Sequence, residues 1–175
     1  VIVSTKNTIV FYYYYYFIIY SVPIQQHEKN AILIKNNQTV NYEKILKKMS
    51  TSLFKRGPDD EGYWHDKKSG IFLFHRRLSI LDLSKNGLQP MISQNERYII
   101  TFNGEIYNFN IIAKQLRDTG TTFKSQSDTE VIIEAFSKWG IEKSVKKFIG
   151  MFAIGVWDRK NRSLHLIRDR LGIKP

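Results

Sequence analysis

Apolar residues recur along this chain in two rhythms, and the changes between them mark out its elements. The run Ala31-Ile32-Leu33-Ile34, followed by the turn-prone Lys35-Asn36-Asn37, predicts a short strand. Behind Asn41, a capping residue, Ile45, Leu46, Met49 and Leu53 return at helical spacing, and Gly57-Pro58 stops that helix after about Lys55. Residues 71–76 and 97–102 read as strands separated by polar loops. Asn108 is placed to cap a helix that buries Ile111, Ile112 and Leu116 and closes at Gly120. Ser127-Asp128-Thr129-Glu130 has the form of a capping box and opens a helix with Ile132, Ala135, Phe136 and Trp139 on one face, ended by Gly140. A further short helix carries Val145 and Phe148, and residues 151–157 and 164–167 form a hairpin around 158–162. Strands at both ends with helices between them predict an α+β layered domain. Residues 151–157 are apolar on both faces, as a strand sandwiched between layers would be.

Residues 1–30 break the pattern and are set apart as an atypical leader, expected to be disordered or not native, ahead of a domain over 31–175. Their core, residues 9–22, is apolar and includes five consecutive tyrosines. At fourteen residues it is shorter than the roughly 20 that a membrane span needs, and it lacks an Ala-x-Ala cleavage site. A truncated or mistranslated leader is the preferred reading; a membrane anchor remains the alternative.

Composition narrows the class. The 175 residues are 42% hydrophobic, enough for one domain with a substantial core. The net charge of +11 is spread over helices and turns without a nucleic-acid motif, so nucleic acid is not expected as a partner. The absence of cysteine excludes disulfides and zinc-thiolate sites within these residues and fits a cytoplasmic protein. Four scattered histidines show no metal-ligand spacing, and no metal is expected in this domain.

Three segments suggest recognition of an amino acid. In Phe102-Asn103-Gly104-Glu105, a side-chain amide beside a glycine N–H offers two donors able to converge on one oxygen, as a developing oxyanion requires. Arg77, at a strand end, can hold a carboxylate through two parallel hydrogen bonds. Asp128 can accept from an ammonium group. Together they match the three polar parts of free glutamine. Each also has a plainer reading. Arg77 can pair with Asp82, Asn103-Gly104 can form a hairpin turn, and Asp128 in the first turn of a helix stabilises it by roughly 0.3–1 kcal/mol whatever its other role.

Six segments in one order carry a resemblance. They are Arg56-Gly57-Pro58-Asp59-Asp60-Glu61-Gly62, residues 75–84, residues 102–108, residues 127–131, Gly150-Met151-Phe152-Ala153 with Trp157-Asp158, and residues 168–175. The set resembles the N-terminal glutaminase domain of glutamine-hydrolysing asparagine synthetases, the class II glutamine amidotransferases, over roughly residues 30–175. The resemblance implies a four-layer αββα sandwich of two antiparallel sheets, of the N-terminal-nucleophile hydrolase type. It also implies that Arg77 binds the glutamine carboxylate, with Leu78, Ser79, Ile80 and Leu81 lining the same wall. Asn103 and Gly104 would form the oxyanion hole, Glu105 would help hold the α-amino group through its backbone, and Asp128 would pair with that group. The segment 56–62 is expected to be a helix stop and turn near the pocket mouth, and the final run to lead toward a synthetase half.

The chain departs from the family in one respect that matters chemically. The family's nucleophile is an N-terminal cysteine whose α-amino group serves as base, and this sequence has no cysteine. Residues 25–30 stand where it is expected, so the chain as written is not expected to hydrolyse glutamine. The family's ATP-binding loop, which with Mg2+ would activate aspartate in a C-terminal synthetase domain, is not in these residues either, and the chain is read as a fragment. Three alternatives stay open: a non-catalytic glutamine-binding or docking module, an amidotransferase domain serving another acceptor, and a membrane-tethered protein. A homodimer is also left open.

Overall fold

The side chains of one strand, β7 (Tyr98–Ile106), divide between two apolar layers, and that division organises the domain. Tyr98, Ile100, Phe102 and Ile106 face one way and join a helical core through Ile112, Leu116, Ile132 and Phe136. Ile99 faces the other way and packs with Ile71, Leu73, Trp157 and Leu164 between two sheets. This is the period of two that an extended strand imposes when both of its faces are covered.

A computed structural model of the chain describes residues 2–5, 17–18, 29–34, 47, 50–51, 54–56, 58–66, 68–69, 71–77 and 87–174. The other strands are β1 (Ile2–Thr5), β2 (Phe17–Ile18), β3 (Lys29–Ile34), β4 (Asp60–Asp66), β5 (Ile71–Arg77), β6 (Met91–Ile92), β8 (Gly150–Asp158) and β9 (Ser163–Arg168). They form two antiparallel sheets, in the orders β1-β9-β8-β7-β6 and β2-β3-β5-β4. Helices α1 (Phe109–Arg117), α2 (Asp128–Trp139) and α3 (Ile141–Lys147) cover the outer face of the first sheet.

Lys47, Ser50 and Thr51 are helical, and Phe54–Arg56 forms a 3-10 turn. These lie on the outer face of the second sheet. There the buried Arg76 donates to Ser50 Oγ at 3.1 Å and to Glu61 Oε2 at 2.8 Å, with its guanidinium 5.0 Å from the Phe54 ring centre. The layers therefore run α, β, β, α, the expected α+β sandwich. Most of the helix expected from Asn41 falls outside the described residues.

Several elements differ from the reading of the sequence. β4 was not anticipated: it alternates half-buried and exposed residues and contains Gly62 and three acids, so its hydrophobic pattern is faint. The segment 56–62 is thus not only a stop and turn, because Asp60 to Gly62 already pair with β5. β7 does not end at Phe102. It continues through Asn103 and Gly104 to Ile106, in register with β8 down to the Ile106–Gly150 pair, so the hairpin-turn reading of Asn103-Gly104 does not hold.

Asn108 precedes α1 without capping it through its side chain. Its amide instead donates to Lys147 O and accepts from Ile149 N, both at 2.9 Å, tying the start of α1 to the α3–β8 link. Ile111 is 62% exposed, and Ala113 takes the buried place beside Ile112 and Leu116. At α2 only half of the capping box forms. Ser127 accepts from Thr129 N, while Glu130 turns away to accept from Lys124 N and from Ser125 N and Oγ. Within the segment set apart at the start, residues 2–5 pair with β9 and residues 17–18 with β3, which itself begins at Lys29 rather than Ala31. No helix among the described residues is long and apolar enough to cross a membrane, and most of residues 9–22 lie outside the described set.

Glu134 on α2 is buried and accepts from Gln94 N at 2.7 Å. Burial raises its pKa; the Gln94 N–H works against that rise and the nearby Glu130 adds to it. A raised native pKa means that the group favours folding at low pH and opposes it as the pH climbs through the native value. Glu134→Gln keeps an acceptor for Gln94 N and carries no charge. It is expected to raise the melting temperature at pH 7, with the gain shrinking toward about pH 4, where the carboxyl of the parent chain is protonated. Thermal melts across that range check this.

Candidate functional site at the free edge of β7

β6 pairs with β7 only at Ile99 and Ile100, so beyond Ile100 the edge of β7 is finished by side chains. Phe102 N donates to Gln89 Oε1 at 2.6 Å, and Ile106 N donates to Asp128 Oδ2 at 3.3 Å. Strand alternation turns the Gly104 N–H, halfway between them, toward the same edge. Asp128 is held there because Ser127, at the N-cap, fixes the first turn of α2. The same turn carries Thr129, whose Oγ1 accepts from Gln89 Nε2 at 3.3 Å. Gln89 thus binds the strand and the helix at once.

Gly104 has φ +152°, and a Cβ there would stand 2.1 Å from Met151 O and 2.7 Å from Phe152 Cα. No other residue fits between β7 and β8 at this point. Asn103, by the same alternation, lies on the face of Ile99 and Thr101, toward the second sheet, and it is 2% exposed. Arg77 ends β5, on the face of Ile71 and Leu73, so it enters the inter-sheet space from the opposite side. Its guanidinium lies against Gly87, where a Cβ would be 3.1 Å from Nη2. Two residues later comes Gln89, and its backbone carbonyl lies so close to Gly62 of β4 that a Cβ there would stand 1.9 Å away. The segment 87–90 is therefore wedged between the sheets and joins Arg77 to the edge of β7.

Sequence reasoning missed the residues that hold Asn103. Lys174 is 2% exposed, and its Nζ donates to Asn103 Oδ1 at 3.1 Å. The run that delivers it is closed by Asp169, 4% exposed, whose carboxylate accepts from Phe152 N, Ile173 N and Lys174 N. Burial alone would raise the Asp169 pKa, but these backbone N–H groups outweigh it and the net direction is down. Arg168 adds a clamp on the carbonyls of Gly172 and Lys174. The sequence signal lies in Arg168-Asp169-Arg170-Leu171-Gly172-Ile173-Lys174, a run that the resemblance assigns to a connection and that the structure makes part of the wall behind Asn103.

Of the residues singled out from sequence, Asp128 reaches the β7 edge at Ile106, two residues beyond Gly104; Asn103 lies next to Gly104 on the face toward the second sheet, and Arg77 enters that inter-sheet space from the other side. Glu105 pairs with Met151. Its carbonyl points at β8, where a Cβ on Gly150 would be 2.1 Å from it, and its side chain is exposed. The expected role of the Glu105 backbone at an amino group is therefore not available to its carbonyl. Leu78, Ser79, Ile80 and Leu81, together with Asp82, lie outside the described residues. Among the described residues no three side chains of metal-ligating type are grouped to hold an ion.

Two substitutions probe this construction. Gly104→Ala is expected to destabilise the domain by about 3 kcal/mol or more, from backbone strain plus the collision with β8, as read by urea unfolding. Asp169→Asn weakens three N–H bonds to a carboxylate and is expected to cost about 2–4 kcal/mol at pH 7. The native pKa of Asp169 is depressed, so its contribution is present above the ordinary carboxylate range and is lost as the pH falls through the native value. The two unfolding curves should draw together below about pH 4.

The model of the glutamine amidotransferase domain family matches residues 30–175. Asparagine synthetase (glutamine-hydrolyzing) 1 of Bacillus subtilis is 43% identical over 138 residues, 79% of this chain and 21% of its own length. Asparagine synthetase (glutamine-hydrolyzing) 2 of the same organism is 46% identical over 131 residues, 75% of this chain and 17% of its own length. A putative asparagine synthetase of Methanocaldococcus jannaschii is 39% identical over 149 residues, 74% of this chain and 28% of its own length. A solved glutamine phosphoribosylpyrophosphate amidotransferase from B. subtilis is more distant, at 18% identity and a TM-score of 0.43 over 56% of this chain and 28% of that chain. The chain thus spans about a fifth of the Bacillus subtilis relatives it matches. On the family match over residues 30–175 and relatives 39–46% identical, the chain belongs to the glutamine amidotransferase domain family and is homologous to the glutaminase domains of asparagine synthetases.

Proposed function

We propose that the corner formed by Asn103, Gly104, Asp128 and Arg77 binds free glutamine, and that the domain is the glutaminase part of an asparagine synthetase. The observation that carries this reading is the placing of opposite chemistries a few residues apart on one strand edge. The Gly104 N–H is turned toward that edge beside the Asn103 amide, whose Oδ1 accepts from Lys174, and two residues on Asp128 accepts from Ile106 N. A zwitterion with a carboxamide tail needs that set, with a guanidinium for its carboxylate, and Arg77 lies on the opposing sheet facing the same space. Leu78, Ser79, Ile80 and Leu81 complete the carboxylate wall in this reading, and any part for Glu105 narrows to its side chain.

In the family reaction the bound carboxamide is attacked by a cysteine thiolate and ammonia is released. The 175 residues contain no cysteine. What they can do themselves is bind glutamine, align its carboxamide and polarise the carbonyl; losing one such donor typically costs about 2.7–4 kcal/mol of transition-state stabilisation in enzymes that complete the reaction. The ammonia would serve a synthetase domain that uses ATP and Mg2+ to convert aspartate to asparagine, in a cytoplasmic protein. The missing cysteine favours a second reading, in which the same corner is a non-catalytic glutamine sensor or docking module.

Calorimetric titration of the full chain with glutamine tests the proposal. Saturable binding is expected. Arg77→Ala, by removing a bidentate ion pair of about 1.5–3 kcal/mol, should weaken it roughly 10- to 100-fold, and Asp128→Asn should weaken it in the same direction. No heat with glutamine, or an affinity indifferent to Arg77→Ala, removes the glutamine pocket from consideration.

A further inference from the structure

We infer that Lys174 is a positioning residue for the carboxamide site: its buried ammonium fixes which way the Asn103 side-chain amide faces. This deepens the glutamine-binding reading and rests on it. An asparagine amide is nearly symmetric in shape but opposite in chemistry at its two ends, oxygen accepting and nitrogen donating. Turned by 180°, Asn103 would present an acceptor to the glutamine carbonyl oxygen and repel it. An ammonium has three donors and no acceptor, so only Oδ1 can face Lys174 at 3.1 Å. The NH2 end is thereby directed away from Lys174, the orientation in which the amide donates rather than accepts at the carboxamide site.

The placement is built rather than incidental. Lys174 is 2% exposed, a burial that lysine reaches rarely and only with partners. The loop that carries it is held at both ends: Asp169 accepts from Ile173 N at 2.9 Å and Lys174 N at 2.9 Å, and also from Phe152 N of β8, the residue opposite Gly104. The Arg168 guanidinium bonds the Lys174 carbonyl itself. One carboxylate therefore ties the lysine's backbone to the strand against which Gly104 is pressed. In this arrangement the positive charge also lies behind the amide dipole and strengthens its N–H donors toward an oxygen that gains negative charge.

The test is NMR on the full chain with glutamine 13C-labelled at the carboxamide and at the carboxylate. On the parent chain the carboxamide carbon should move downfield on binding. In Lys174→Met that shift should fall back toward the free value, while the carboxylate shift stays and the affinity, dominated by Arg77, changes within about three-fold. Lys174→Arg should restore part of the carboxamide shift. A purely structural lysine would lower the melting temperature and weaken every contact together. An unchanged carboxamide shift in a folded Lys174→Met chain overturns the inference.

Failure of the parent chain to bind glutamine would sink the proposed function and leave Lys174 to be judged on the free chain. There, the Asn103 NH2 signals, assigned by their loss in Asn103→Asp, should shift or double in Lys174→Met; one unaltered pair counts against positioning. Should that variant unfold, Lys174→Gln takes its place. If both unfold, the ammonium protons of Lys174 in the parent chain should exchange slowly and measurably faster in Asn103→Ala, and an unchanged rate contradicts the bond on which the inference stands.

Discussion

β7 has to satisfy four environments at once, and the rest of the domain is arranged around how it does so. One face carries Tyr98, Ile100, Phe102 and Ile106 into the helical core, and the other carries Ile99 between the sheets. One edge runs the full length of β8, and the other is covered by β6 for only two residues. A strand with both faces buried cannot leave donors unsatisfied at its edge without a cost of about 1–3 kcal/mol each. Gln89 and Asp128 meet that need at Phe102 and Ile106, and Gly104 lies between them. The candidate site is what remains of a sheet edge that is otherwise closed.

Buried carboxylates do much of the closing. Asp158 gathers both ends of the Arg97 guanidinium together with Lys160 N and Asn161, and so shapes the β8–β9 turn. Burial would raise its pKa, but Arg97 and the turn N–H groups outweigh this and lower it. Glu130 gathers the N–H groups of residues 124 and 125 ahead of α2, and Asp169 gathers those of 152, 173 and 174. Each collects donors from residues that local secondary structure cannot pair, which is how a buried anion becomes compatible with folding. Two of these three hubs flank the site. One fixes the approach to α2 and hence Asp128; the other fixes Lys174 and hence Asn103.

Elements whose burial follows a strict period could be read in advance. α2 aligns Ile132, Ala135 and Phe136 as its spacing implied, and the β8–β9 hairpin turns where Asp158 to Arg162 said it would. β4 could not be read, because a strand with one half-buried face and a glycine for close approach has little apolar pattern to show. Asn108 and Glu130 were misjudged for a related reason. Both types cap helices locally, yet here each reaches non-local partners, the α3–β8 link in one case and the loop ahead of α2 in the other. A tertiary hydrogen bond that satisfies several backbone groups outcompetes a single cap.

The candidate site divides along the same line. Side-chain chemistry is written residue by residue, so the donors at Asn103 and Gly104, the guanidinium of Arg77 and the acid of Asp128 are legible in the sequence alone, as is the family whose ordered segments they belong to. Their geometry is not. That Gly104 is held by contact with β8 rather than by a turn, and that Gln89 bridges strand and helix, depends on which edge of β7 is left open. That edge is a property of the assembled sheet. Lys174 is the clearest case, since it lies 71 residues from Asn103 along the chain and meets it only through a loop tied back to β8. Spacing along a sequence carries no information about such a contact; burial, which forces every charged group to find a partner, is what decides it.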